Sequence, residues 1–174
     1  MIESAHNVSI SYSHDGLTEK IEGIWYPTED ERKAAWEMYV EIATRIPVAY
    51  VKPEIGLLRL GLTSLYELFD VTRAILRKYG PSLARPRGEG QLSFGYLSIK
   101  VLDLVLRPFM MKWHPLLAEY ERTKERADSP QEHEKKWARY KEIDKAMNEV
   151  RETMLQYARL LARACEVPEN LLIV

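Results

Sequence analysis

The sequence has 174 residues but only one cysteine, Cys165, and no long uninterrupted apolar segment. A single cysteine excludes an intramolecular disulfide, so we expect the protein in a reducing compartment, the cytoplasm. The opening residues lack the basic stretch and apolar run of a secretory signal, and none is expected. The formal net charge of −1 excludes a general attraction to nucleic acid or to an anionic membrane. Any such binding must come from a local patch.

Motifs for cofactor and metal chemistry are also scarce. There is no glycine-rich phosphate loop and no nucleophile elbow. None of the predicted helices carries the Glu-x-x-His motif of di-iron bundles. We therefore expect no metal and no cofactor.

The first segment, residues 1–27, predicts a small β-hairpin. Val8, Ile10 and Tyr12 alternate with polar neighbours, as in a half-buried strand. A turn at Asp15-Gly16 separates this strand from a second one. Because a two-stranded hairpin is marginal in water, it needs helices or a further strand to pack on. The end of the C-terminal tail 167–174, Leu171–Val174, is a candidate third strand.

The rest of the chain reads as helices. Thr28 and Glu31 form a capping box before the first helix, and Ser129 and Glu132 form another before the last. Between the prolines and glycines that end the predicted helices, apolar residues recur every three or four positions. The last helix carries a two-position heptad seam, formed by residues that repeat every seven positions: Tyr140, Met147, Met154 and Leu161, and Ile143, Val150, Tyr157 and Ala164. The predicted helices span residues 28–46, 53–79, 91–126 and 130–166.

We predict a mainly α single domain over residues 1–174. Its architecture is an antiparallel four-helix bundle with the small N-terminal β-hairpin. The third and fourth helices are long, and Pro108 and Pro115 are expected to kink the third near Leu104 and Met111. The third and fourth helices are longer than the first, and their extra length, residues 119–143, is polar. We expect it to project as a charged hairpin or to pair with a second copy.

The third helix carries polar residues inside its apolar run. Lone buried charges are prohibitive, so polar groups there must pair or lie at an opening. We favour a buried polar network that ties this helix to its neighbours. Its predicted members are Asp103, Arg107, Trp113 and His114.

Two of these residues permit a catalytic alternative. Arg107 and His114 are seven positions apart on one predicted helix. This spacing resembles the R-x(4–6)-H motif of the HEPN ribonucleases, and the resemblance covers those two residues and the helical setting only. It implies that Arg107 steadies phosphate and that His114 transfers protons at a dimer cleft. Pro108 departs from the polar residue usual after the arginine.

A basic segment offers a second alternative. From Arg73 to Gly90 there are five positive residues and one negative, a local charge of five minus one, or +4. Some of these cations suit a helix C-terminus without any ligand. The candidate binding residues for phosphate, nucleic acid or an acidic partner are Arg77, Lys78, Arg85 and Arg87.

The functional hypothesis is a non-enzymatic interaction or regulatory protein that binds a macromolecular partner, as a homodimer. A metal-independent ribonuclease and a nucleic-acid-binding protein are the alternatives. The lack of an assembled active site and the long heptad seam favour the first.

Overall fold

The computed structural model describes residues 4–14, 16–45, 58–85 and 88–172. This part of the chain is mainly helical, with a small three-stranded sheet. The strands are β1 (His6–His14), β2 (Leu17–Trp25) and β3 (Gln91–Leu92); the helices are α1 (Glu29–Ala43), α2 (Leu58–Tyr79), α3 (Phe94–Val101), α4 (Arg107–Glu121), α5 (Pro130–Lys136) and α6 (Tyr140–Ala164). A π-helical turn, Leu102–Leu106, joins α3 to α4, and the three form one continuous helix that we call the long helix.

The sheet consists of an antiparallel pair and one added strand. β1 pairs with β2, and β3 pairs in parallel with the end of β2, so that Trp25 lies opposite Leu92. A Cβ on Gly23 would lie 2.7 Å from the Cγ of Leu92, so only glycine permits this close approach. The third strand is thus β3 and not the tail. Of the predicted tail strand, Leu171 and Leu172 form a bend, and residues 173–174 lie outside the described residues.

The sheet packs on α6. The alternating residues Val8, Ile10 and Tyr12 are buried. Between them the Ser11 backbone N–H donates to Oε1 of Gln156 at 2.8 Å, and the Ser11 carbonyl accepts from another α6 side chain. Contact with α6 therefore supplies the support that an isolated hairpin lacks.

Glu31 joins the beginnings of two helices. Its fully buried carboxylate accepts the Thr28 backbone N–H at 2.8 Å, which completes the predicted capping box. It also accepts the Phe94 N–H at 2.9 Å, at the start of the long helix. This bridge is possible because the parallel strands β2 and β3 end side by side, and α1 and α3 each begin directly after one of them.

We predict that Glu31→Ala lowers the free energy of unfolding by about 3 kcal/mol, because it leaves the buried N–H of Phe94 and the partly buried N–H of Thr28 without acceptors. Thermal and urea unfolding measure the change. Glu29→Ala is the matched control: its carboxylate is exposed and, among the described residues, forms its ion pair with Lys33, at 3.6 Å, so its effect is expected below about 0.5 kcal/mol. Equal losses in both variants would contradict the bridge.

The long helix passes through both prolines without interruption. Near Met111, one of the two expected kinks, α4 continues through Pro115 without a break. Near Leu104, the other, the helix contains the π-helical turn, in which the Arg107 N–H bonds to the Leu102 carbonyl. Pro108, which has no backbone N–H, lies just after this wider turn. The helix therefore widens locally instead of breaking. The helix begins at Phe94 rather than at residue 91, because β3 occupies the first residues.

The helix expected over 130–166 is instead two helices, α5 and α6. Trp137 has an extended backbone with ψ 127° and ends α5. Its ring stacks on Tyr120 with centroids 5.2 Å apart and meets Trp113 edge-on at 6.2 Å. These ring contacts hold α5 against the long helix. The charged hairpin predicted over 119–143 therefore does not project.

Glu134 of α5 caps α2 from a distance. Its buried carboxylate accepts the backbone N–H groups of Leu58 and Arg59 at 2.9 and 3.3 Å. Arg59 also forms a two-bonded ion pair with Glu121 of α4. Burial raises the pKa of Glu134 above its usual value, and the two backbone donors only partly oppose this. Residues 53–57, where a helix start was predicted, lie outside the described residues.

The raised pKa gives a pH-dependent prediction. The folded state binds the Glu134 proton more tightly than the unfolded state, so this group favours folding below its ordinary pKa near 4.5 and less so as pH rises through the folded pKa. Glu134→Gln keeps an acceptor without the charge. We expect the stability of this variant relative to wild type to increase from about pH 4.5 upwards and then to level off, as measured by urea unfolding across pH. A difference that is constant with pH would contradict the assignment.

The four-helix bundle with a two-stranded hairpin is not confirmed. With the long helix counted once, the described part has five α-helices, and its sheet has three strands. The heptad seam of α6 lies largely inside the chain's own core, against α1 and β1. Tyr157 of that seam is buried with its hydroxyl 2.9 Å from the Ser98 hydroxyl. The buried part of the seam is therefore not a free coiled-coil surface. Among the described helices, none is both long enough and apolar enough to cross a membrane.

Candidate functional site

The polar network predicted in the third helix is not buried. Asp103, Arg107 and His114 are exposed, and only Trp113 is buried. The spacing of these residues explains the difference. The buried stripe of the long helix runs through residues such as 97, 101, 105, 109, 113 and 117. Residues 103, 107, 111 and 114 follow the same three- and four-residue spacing on the opposite, outward side.

The outward side lies beside α2, which runs antiparallel to the long helix. Arg59 at the start of α2 pairs with Glu121 at the end of α4, at 2.8 Å. Further along, the rings of Tyr66 and His114 have centroids 6.5 Å apart. The Arg107 guanidinium then lies 5.4 Å from the centre of the Phe69 ring. These contacts fix the register of the two helices.

We call the surface formed by Tyr66, Phe69, Arg107, Met111 and His114 the Tyr66–His114 face. Tyr66 is 58% exposed and Met111 is 73% exposed. Phe69 lies beneath the Arg107 guanidinium as the buried floor of the face. The face thus combines exposed apolar side chains with one charged group, the Arg107 guanidinium.

Arg107 is held in place on this face by two contacts. Its Nε and Nη2 atoms donate to Oδ1 of Asp103 at 3.0 and 2.8 Å. Its planar group also lies over Phe69, a cation–π contact. Because the Arg107 side chain remains 54% exposed, the guanidinium can still bind an anion.

Arg107 and His114 are on the same side of an uninterrupted helix. Seven residues correspond to two turns, or about 10 Å along the axis. Both side chains are exposed, and the exposed Met111 lies between them on the same side of the helix. This arrangement permits one arginine and one histidine to reach neighbouring groups of a bound polymer. It provides no further catalytic group within the described part of the face.

The basic segment is only partly available for binding. Lys78 is committed to Glu37, which also accepts the Tyr79 hydroxyl. Burial raises the pKa of Glu37, but the hydrogen bonds from Lys78 and Tyr79 outweigh burial and hold it below its usual value. Arg77 and Arg85 are exposed. Arg87 lies outside the described residues.

Other chemistries find little support. No group of three or more His, Cys, Asp or Glu residues in the described ranges could hold a metal ion. Cys165 is partly buried, and burial raises the pKa of its thiol to about 11. The thiol is therefore protonated near neutral pH and is a poor nucleophile.

Two members of the face escaped sequence reasoning. Tyr66 and Met111 have large apolar side chains, and a sequence pattern assigns such residues to the core by default. A signal was present for Tyr66, because it shares a stripe with Asp70, Arg73 and Arg77 at helical spacing. Met111 carried no comparable signal.

The comparisons with known proteins add no constraint: no family model, curated protein or solved structure matches this chain. The function must therefore be argued from the geometry.

Proposed function

We propose that the protein acts by binding a macromolecular partner through the Tyr66–His114 face, and that the partner is a second copy of the chain. One observation carries the proposal: exposed Tyr66 and Met111 lie together with Arg107 and His114 on a face formed by two adjacent helices. Tyrosine, methionine and arginine are enriched at protein interfaces.

The charges of this region favour a second copy. On α2, Arg73 pairs with Asp70 at 2.6 Å, and on the long helix Arg107 pairs with Asp103. Each helix therefore presents both signs next to the face. In a two-fold dimer each patch meets its own copy, so a surface with both signs is self-complementary. A strongly acidic or strongly basic partner would meet like charges on either helix.

Met111→Arg tests this proposal. We expect the variant to be monomeric, because the substitution adds two like charges at the centre of a two-fold contact. Light scattering after size exclusion measures the mass over a range of concentrations, and the melting temperature should change little because Met111 is 73% exposed.

Leu17→Arg is the matched control, since Leu17 is 71% exposed at the start of β2 and is not a member of this face. It should leave the mass unchanged. A wild type that stays monomeric at every concentration would contradict the proposal, as would a Met111→Arg variant with the wild-type mass.

A second candidate function is RNA cleavage by Arg107 and His114. It is favoured by the exposure of both side chains on one side of a continuous helix, whereas a structural role in a buried network would have hidden them. In this reading His114 transfers a proton and Arg107 stabilises the phosphate charge in the transition state.

We predict for this candidate that His114→Ala lowers cleavage of a fluorescent RNA substrate about 100-fold or more in the presence of a chelator. The melting temperature should stay near that of wild type because the side chain is exposed. His14→Ala, an exposed histidine on the hairpin, is the control. Wild-type protein that cleaves no RNA would exclude the enzyme and leave the dimer proposal standing.

A further inference from the structure

Three cations near the C-terminal end of α2 and the start of the long helix have no carboxylate partner among the described residues. Neighbouring cations are paired: Arg73 with Asp70 and Arg107 with Asp103. Within the ranges that the structure describes, no carboxylate lies within 4.0 Å of the charged groups that remain. They are Arg77, Arg85 and Lys100.

Two of these cations lie near an exposed tyrosine. Lys100 Nζ lies 5.4 Å from the centre of the Tyr96 ring, and that residue is 47% exposed. Arg85 follows Ala84, and a Cβ on Gly95 would lie 3.0 Å from the Ala84 Cβ. Arg85 therefore lies beside the turn that carries Tyr96.

The antiparallel register adds Arg77. Phe69 of α2 lies level with Arg107 of the long helix. Arg77 is eight residues further along α2, and Lys100 is seven residues back along the long helix, across the π-helical turn, so the two lie at about the same distance along the helix pair. We call the group of Arg77, Arg85, Tyr96 and Lys100 the Tyr96 patch. It carries three positive charges.

This combination fits a flexible polyanion with flat bases. Unpaired cations bind backbone phosphates, and an exposed aromatic ring stacks a base. The ring distinguishes a nucleic acid from an acidic peptide, which has no planar group that requires it. The side chain of Lys100 approaches the ring, which leaves part of its surface for a base.

We propose that the Tyr96 patch binds single-stranded nucleic acid, with the three cations on phosphates and Tyr96 stacked on a base. The proposal does not rest on the Tyr66–His114 face. The two proposals have separate readouts, the mass for the dimer and the anisotropy for the nucleic acid, so failure of one proposal is distinguishable from failure of the other.

The test is fluorescence anisotropy with a labelled 12-nucleotide single-stranded RNA and its DNA counterpart, over a series of salt concentrations. Three phosphate contacts predict that log K falls with log salt at a slope of about −2. The triple variant Arg77→Gln, Arg85→Gln, Lys100→Gln should lose binding at all but the lowest salt. Tyr96→Leu should weaken binding about fivefold or more with an unchanged slope.

A charge-matched control is available at the opposite end of the long helix. Arg122→Gln, Arg126→Gln, Lys135→Gln removes three exposed cations there and should bind like wild type. Three results would overturn the proposal: no binding at low salt, equal losses in the two triple variants, or competition by polyglutamate as strong as by the oligonucleotide together with a silent Tyr96→Leu.

Discussion

The buried carboxylate of Glu31 is the constraint on which the arrangement of the helices depends. Burying a charge is costly unless hydrogen-bond donors surround it. Here the donors come from the starts of two helices, and one of them, Phe94, lies 63 residues from Glu31 in sequence. The parallel pairing of Trp25 with Leu92 brings those two starts together, so sheet and carboxylate fix the same junction. The direction of the long helix is thereby set relative to α1.

The position of the long helix decides where its side chains lie. One stripe contributes Trp113 and its neighbours to the core, while the opposite stripe remains at the surface beside α2. A second buried carboxylate, Glu134, holds the start of α2 in the same way that Glu31 holds the long helix. The two proposed binding surfaces lie mainly along successive lengths of this one helix pair, with the Arg73–Asp70 pair between them. The first residues of both helices are held by a buried carboxylate.

Local signals predicted much of this fold. The alternation in β1 and the capping boxes at Thr28 and Ser129 act within a few residues, and the corresponding elements are present. The features that sequence reasoning missed depend on distant contacts. β3 has two residues and exists because β2 accepts it, and the break at Trp137 exists because two other aromatic rings receive that side chain. The same limit applies to the site: periodicity placed Arg107 and His114 on one side of a helix but could not show which side faces outward.

We propose that the outward side of the long helix is the surface that binds a partner. Oxidative footprinting of the methionines at increasing protein concentration tests it most directly, because Met111 is exposed on the Tyr66–His114 face while Met147 is partly buried in α6 and provides an internal reference. We predict that Met111 oxidation slows as the protein concentration rises through the range in which the measured mass doubles, while Met147 oxidation stays unchanged. Equal oxidation of Met111 at all concentrations, in protein that nonetheless dimerises, would contradict it.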